Sequence, residues 1–138
     1  MVGKETQTKV YATKMRIGII TLAPARSHYG NRITALRWAK ILRQLGHHVT
    51  ISQQYDNEKL DLLIALHARR SYSSISRFRR QYHDLPIIVA LTGTDVYRDI
   101  RSSRRAQQSL QLADRIAVLQ PRALRELESA ARRKLIGH

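Results

Sequence analysis

Apolar residues in this chain come in short continuous runs, separated by stretches in which they recur every three to four positions. The runs RIGIITL (16–22), HVTISQ (48–53), LDLLIAL (60–66), IIVAL (87–91) and RIAVL (115–119) are too short for helices. Most are also too continuous for strands with one wet face, so they predict strands buried on both sides. After the first run, Ala35, Trp38, Ala39, Leu42 and Leu45 share one helical face, with Asn31 as its cap and Gly46 at the left-handed position that ends it. Ile75, Phe78 and Tyr82 repeat the period behind a cap at Ser71 or Ser73, and Ala106, Leu110 and Ala113 behind Ser102 or Ser103. Leu124, Leu127, Ala131 and Leu135 form a last helix with Pro121 near its first turn. Residues 55–59 read as a polar break in which Asn57 suits a turn, and 134–138 as the start of one more strand. Strands alternating with helices over short connections predict a doubly wound, Rossmann-like α/β domain built on a parallel sheet.

Bulk properties narrow the class. At 138 residues the chain fits one domain, 15–138, behind a polar leader, 1–14, expected to be disordered. A hydrophobic content of 43% argues against disorder of the whole. The chain has no cysteine, which excludes a disulfide framework and thiolate-bound metal and is compatible with the reducing cytoplasm expected for it. No apolar run approaches the roughly 20 residues of a membrane span, and the leader lacks the apolar core of a secretory signal. The extreme value is charge, with 25 basic against 10 acidic residues, net +15. The excess is spread along the chain: 10 basic and 4 acidic residues in 1–65, then 15 and 6 in 66–138. A nucleic-acid binder more often gathers its charge into a stripe, so solvated outer helix faces, including Arg77, Arg79 and Arg80, are the plainer expectation.

Three loops fall at carboxyl ends of strands, 23–32, 67–71 and 92–95, where open parallel sheets bind their ligands. Gly30 and Asn31 either present backbone N–H groups to an anion beside Arg32 or merely turn the chain. His67, with Arg69 and Arg70, either meets a ligand or hydrogen-bonds backbone. Thr92, Gly93, Thr94 and Asp95 place two hydroxyls, a glycine and a carboxylate after the most apolar strand, although turn and cap chemistry explains Gly93 and Asp95 equally well. No spacing resembles a nucleophile with its base or a metal-binding motif. No catalytic residue is therefore assigned, and no cofactor or metal is expected.

The runs GNRITALRWAKILRQLGHHVTI, DLLIALHARRS, PIIVALTGTDVYRD and LADRIAVLQP, in that order, resemble the amino-terminal half of a family 4-like glycosyltransferase, closest to the selenosugar synthase group of selenoneine biosynthesis. The resemblance implies the acceptor-side domain of a two-domain GT-B enzyme. It implies transfer from a UDP-sugar donor to a small anion such as selenophosphate, at an acceptor site around Gly30, Asn31, Arg32, Thr92 and Gly93. The carboxyl-terminal nucleotide-sugar domain falls outside these residues, so the chain alone is expected to be inactive, to need that domain as a partner, and to be open to self-association. Two readings compete with it: a non-catalytic α/β module that holds a small anion, and a nucleic-acid binder suggested by charge alone.

Overall fold

The computed structural model describes residues 13–23, 30–92, 100–119, 127 and 129–136. The strands are β1 (Arg16–Ile20), β2 (His48–Ser52), β3 (Leu62–Leu66), β4 (Ile87–Leu91) and β5 (Arg115–Val118). The helices are α1 (Gly30–Gln44), α2 (Tyr72–Gln81), α3 (Arg104–Leu112) and the short α4 (Ser129–Arg132). All strand pairs are parallel, in the order β2-β1-β3-β4-β5. The chain moves outward from β1 to β2, then returns past β1 to lay down β3, β4 and β5 on its other side. The gap between β1 and β3 is therefore the topological switch point of the sheet. The predicted α/β fold is the observed one.

Alternation along the strands divides the core in two. Ile17, Ile19, Val49, Leu62, Ile64 and Leu66 pack with Ala35 and Ala39 of α1. Ile20, Leu63, Ala65, Val89, Leu91 and Ile116 pack on the other face with Ile75 and Phe78 of α2 and Ala106 and Leu110 of α3. Central strand β3 is buried at all five positions, which is why its sequence lacks alternation. The buried positions of α1 are both alanines, letting the helix lie close to the sheet. It ends where Gly46, at φ 98°, donates to Arg43 O at 3.0 Å while His47 N–H reaches Leu42 O at 3.1 Å. That is a Schellman closure, for which only glycine has no steric cost.

Several local expectations change. Helix α1 begins at Gly30, so Asn31 lies inside its first turn and is not the cap. Gly30 is not in the left-handed region, and a Cβ added there would meet nothing within 4 Å. Ser103 caps α3, its hydroxyl accepting from Ala106 N–H at 3.2 Å. Ser71 instead donates its hydroxyl to Leu66 O at 2.6 Å and leaves α2 without a side-chain cap. Leu135 leaves the helical period to bridge Ile116 in parallel, so strand-like pairing does begin there. Residues 1–12, including most of the expected leader, lie outside the described residues.

Two readings of polar residues are corrected. Tyr55, placed in a polar break, is fully buried: its ring meets Phe78 edge-on at 5.2 Å and its hydroxyl donates to Gln81 Oε1 at 3.0 Å. Its backbone N–H donates to Ser74 Oγ at 2.9 Å, and Arg77 donates to its carbonyl at 3.0 Å. A tyrosine can be internal when its one polar atom has such a partner. Arg79, expected to be solvated, threads its guanidinium between chain segments, reaching the carbonyls of His83 and Leu85 at 2.9 Å and Leu112 at 3.0 Å. Arg77 and Arg79 are thus both engaged, and Arg80 remains exposed.

Candidate anion site at the carboxyl edge of the sheet

Because every strand runs the same way, the residues that follow β1, β3 and β4 open on a single edge, as do the first turns of α1, α2 and α3. The residue next after each of these three strands is polar and buried: Thr21, His67 and Thr92. The ladder pairs Ile20 with Ala65 and Leu66 with Ala90, so the three follow one another across adjacent strands. A buried polar residue at the end of an otherwise apolar strand is uncommon unless its groups are bonded.

Thr21 extends the β1–β2 ladder by one step, its N–H donating to Ser52 O at 2.9 Å. Its hydroxyl then accepts from Ala23 N–H at 3.3 Å, which turns the chain out of the strand. Sequence reasoning missed Thr21, which it counted as an ordinary position of a longer strand. The available signal was a hydroxyl just before Pro24, where a strand has to end.

His67 carries the most constrained backbone at this edge, with φ at 80° in a residue other than glycine. Such a conformation costs on the order of 1–3 kcal/mol and persists only where the surroundings hold it. The hold is visible: His67 N–H donates to Ala90 O at 3.0 Å, and its carbonyl accepts from Ser71 N–H at 3.1 Å. Its Nδ1 accepts from Arg70 N–H at 3.1 Å. A nitrogen that accepts carries no hydrogen, so in the neutral ring the hydrogen belongs on Nε2. The sheet thus fixes both the tautomer and the direction of this imidazole at the switch point.

Arg32 lies in the first turn of α1, which has no acidic residue. Its Nε is buried and has no hydrogen-bond partner among the described residues. A buried guanidinium N–H without an acceptor is costly. It stands among the free N–H groups of a helix start, where negative charge is favoured. Gly30 and Asn31 share this turn, and Arg69, exposed, follows His67 at the same edge. The structure therefore gathers Gly30, Asn31, Arg32, His67, Arg69 and Thr92 along one edge, whereas Gly93, Thr94 and Asp95 lie outside the described residues. Among the described residues no three metal-ligating side chains come together.

A cleft of about 710 Å³ opens at the opposite, amino edge, between Lys14, Arg16, His47, His48, Lys59 and Asp61. Two of its polar groups serve the fold. Asp61 Oδ2 accepts from Arg16 N–H at 2.7 Å, and His47 Nδ1 accepts from Met15 N–H at 3.1 Å. Both charge signs are present there, so volume alone does not make it the better site for an anion.

No family model and no curated protein matches the chain. Among solved structures it is similar to RcsB from Salmonella enterica serovar Typhimurium, a structure bound to promoter rprA in the presence of phosphomimetic BeF3−. The TM-score is 0.50 at 18% identity, over 88% of this chain and 61% of that one. The chain thus spans about three-fifths of the neighbour's length. These findings overturn the family 4-like glycosyltransferase resemblance and the enzyme reading drawn from it: the structural match is to RcsB, and neither comparison of sequence returns a glycosyltransferase. The motif strings that carried the resemblance coincide with α1–β2, β3, β4 and β5, and sequences shaped by one buried parallel sheet look alike across such folds. At this level of identity the likeness establishes the fold alone, a doubly wound parallel α/β domain.

Proposed function

We propose that the chain is a non-catalytic module that binds a small phosphate-like anion at the carboxyl edge of its sheet. The observation that carries this reading is Arg32, whose buried Nε lacks an acceptor among the described residues at the start of the helix leaving β1. Open parallel sheets bind ligands outside the carboxyl ends of their strands at the switch point, here between β1 and β3. The fixed imidazole of His67 and the first-turn N–H groups of α1 are the supporting donors. Arginine suits this ligand because its fork meets two oxygens of a phosphate at once.

The test is calorimetric titration with inorganic phosphate. Loss of one charge-assisted contact costs about 1.5–3 kcal/mol, so Arg32→Ala should weaken binding roughly ten- to hundredfold. Arg80→Ala, exposed on α2, should leave it unchanged. Equal losses from the two variants would mean that phosphate senses only diffuse charge.

A further inference from the structure

Three described aspartates lie at the amino edge, alongside basic residues. Asp61, Asp84 and Asp114 sit at or just before the entries to β3, β4 and β5, at the amino edge. The carboxyl edge carries Arg69 and Arg70 before α2, and Arg101, Arg104 and Arg105 at the start of α3, all exposed. Arg98, Asp95 and Asp99 belong to the connection 93–99, outside the described residues, and Arg70, Arg104 and Arg105 define the surface.

Two segments distant in sequence bring them together. Ser109 Oγ of α3 donates to Ala68 O at 2.6 Å, fixing the second turn of α3 against the turn that holds Arg69 and Arg70. Arg105 lies one turn nearer the helix start, about 6 Å along the axis, on the same side of α3. Neither α2 nor α3 has an acidic residue in its first turn. Arg70, Arg104 and Arg105 make no ion pair among the described residues. Cations at the positive end of a helix are disfavoured by its dipole, so local folding does not account for this placement. A partner that brings negative charge does.

We propose that this surface docks the phosphate backbone of a nucleic acid. Helices packed about 8–10 Å apart let long arginine side chains from two helix starts reach neighbouring phosphates of one strand. Contacts to phosphate carry no sequence information, so binding should show little sequence preference. The surface is distinct from the Arg32 position and does not depend on it.

Fluorescence anisotropy with a labelled 20-nucleotide single strand and a 20-base-pair duplex, between 50 and 200 mM salt, tests this. The variant Arg70→Ala/Arg104→Ala/Arg105→Ala should lose at least tenfold in affinity. Its dependence of log K on log salt should become shallower by about 2–3, as expected for three lost phosphate contacts. The control Arg37→Ala/Lys40→Ala/Arg133→Ala removes the same charge elsewhere and should keep the wild-type slope. Circular dichroism checks that each variant is folded; if the triple variant is not, the single variant Arg104→Ala should still lower the slope by about one. Equal losses in variant and control, or a wild-type protein that binds neither oligonucleotide, would overturn the proposal. Phosphate titration of the same triple variant separates this surface from the Arg32 site, since it should retain wild-type phosphate affinity.

Discussion

Arg79 Nη2 and Asp114 Oδ2 stand 2.7 Å apart, joining the end of α2 to the entry of β5. Asp114 Oδ2 also accepts from Ile87 N–H at 2.8 Å, so this one carboxylate orders the starts of two neighbouring strands. Arg79 in turn binds carbonyls on the α2–β4 connection and at the end of α3. The ion pair itself is half exposed at Asp114 and worth little alone. The carbonyls are the larger part, since removing the arginine leaves several of them unpaired at once.

Arg79→Ala should therefore destabilise the fold by about 2–3 kcal/mol in urea unfolding, and Arg79→Lys should recover little, because one ammonium cannot span the same acceptors. Arg80→Ala should stay within about 0.5 kcal/mol. Equal effects at the two positions would show that Arg79 is no more than a solvated helical charge.

Tyr55 gives the fold an alkaline signature. Burial, with lesser contributions from Tyr82 and Glu58, raises its pKa from 10.0 to about 12. The folded state then holds this proton more tightly than the unfolded chain does. The stability it contributes is complete below pH 10 and is lost as pH rises from 10 to about 12. Lys134 has the opposite sign: desolvation lowers its pKa from 10.5 while its ammonium donates to Leu110 O and Gln111 O at 2.9 and 2.8 Å. Its contribution to stability rises with pH toward 10.5. Denaturation of wild type and Tyr55→Phe across pH 9–12 should show the wild type falling more steeply above pH 10.5, and parallel curves would contradict this.

Gly18 and Leu60 form a close contact inside the second core. A Cβ built on Gly18 would come within 2.6 Å of Leu60 Cδ1. Gly18→Val should cost about 1–3 kcal/mol through overpacking. In the Leu60→Ala background the same substitution should cost less, and a double-mutant cycle measures the difference. An additive cycle would mean that the glycine serves something other than this contact.

Gly30→Ala separates folding from binding. The added methyl meets no neighbour within 4 Å, and alanine favours the helix, so stability should hold or rise by up to about 1 kcal/mol. If a phosphate approaches the first turn of α1, the methyl crowds it, and titration should show weaker binding by a folded protein. Unchanged affinity would move the anion away from this backbone.

Much of this fold was legible because its cause is periodic. β4 was read at its observed bounds, and the other strands within two residues, since burial on both faces leaves no polar alternation to misread. Of the candidate site, His67 and Thr92 could be picked out as polar residues closing apolar runs, and both proved buried at the expected edge. The misreadings share a different cause. Tyr55 and Arg79 each make several hydrogen bonds, some to segments 19 to 35 positions away, and Thr21 makes one just beyond a strand end; no local pattern encodes such partners. The start of α1 shifted by two residues because glycine and asparagine both serve at helix starts. The supposed family motifs failed for the opposite reason, as strings dictated by the sheet itself carry little about function.

The most direct test of anion binding at the carboxyl edge is a titration of inorganic phosphate into ¹⁵N-labelled protein, followed by amide chemical shifts. The two edges of the sheet serve as site and internal control. The amides of Gly30, Asn31, Arg32 and residues 67–70 should move together along one saturating curve, while those of Lys14, His48 and Lys59, around the amino-edge cleft, should stay in place. Shifts concentrated at the amino-edge cleft, or spread evenly over both edges, would contradict the account.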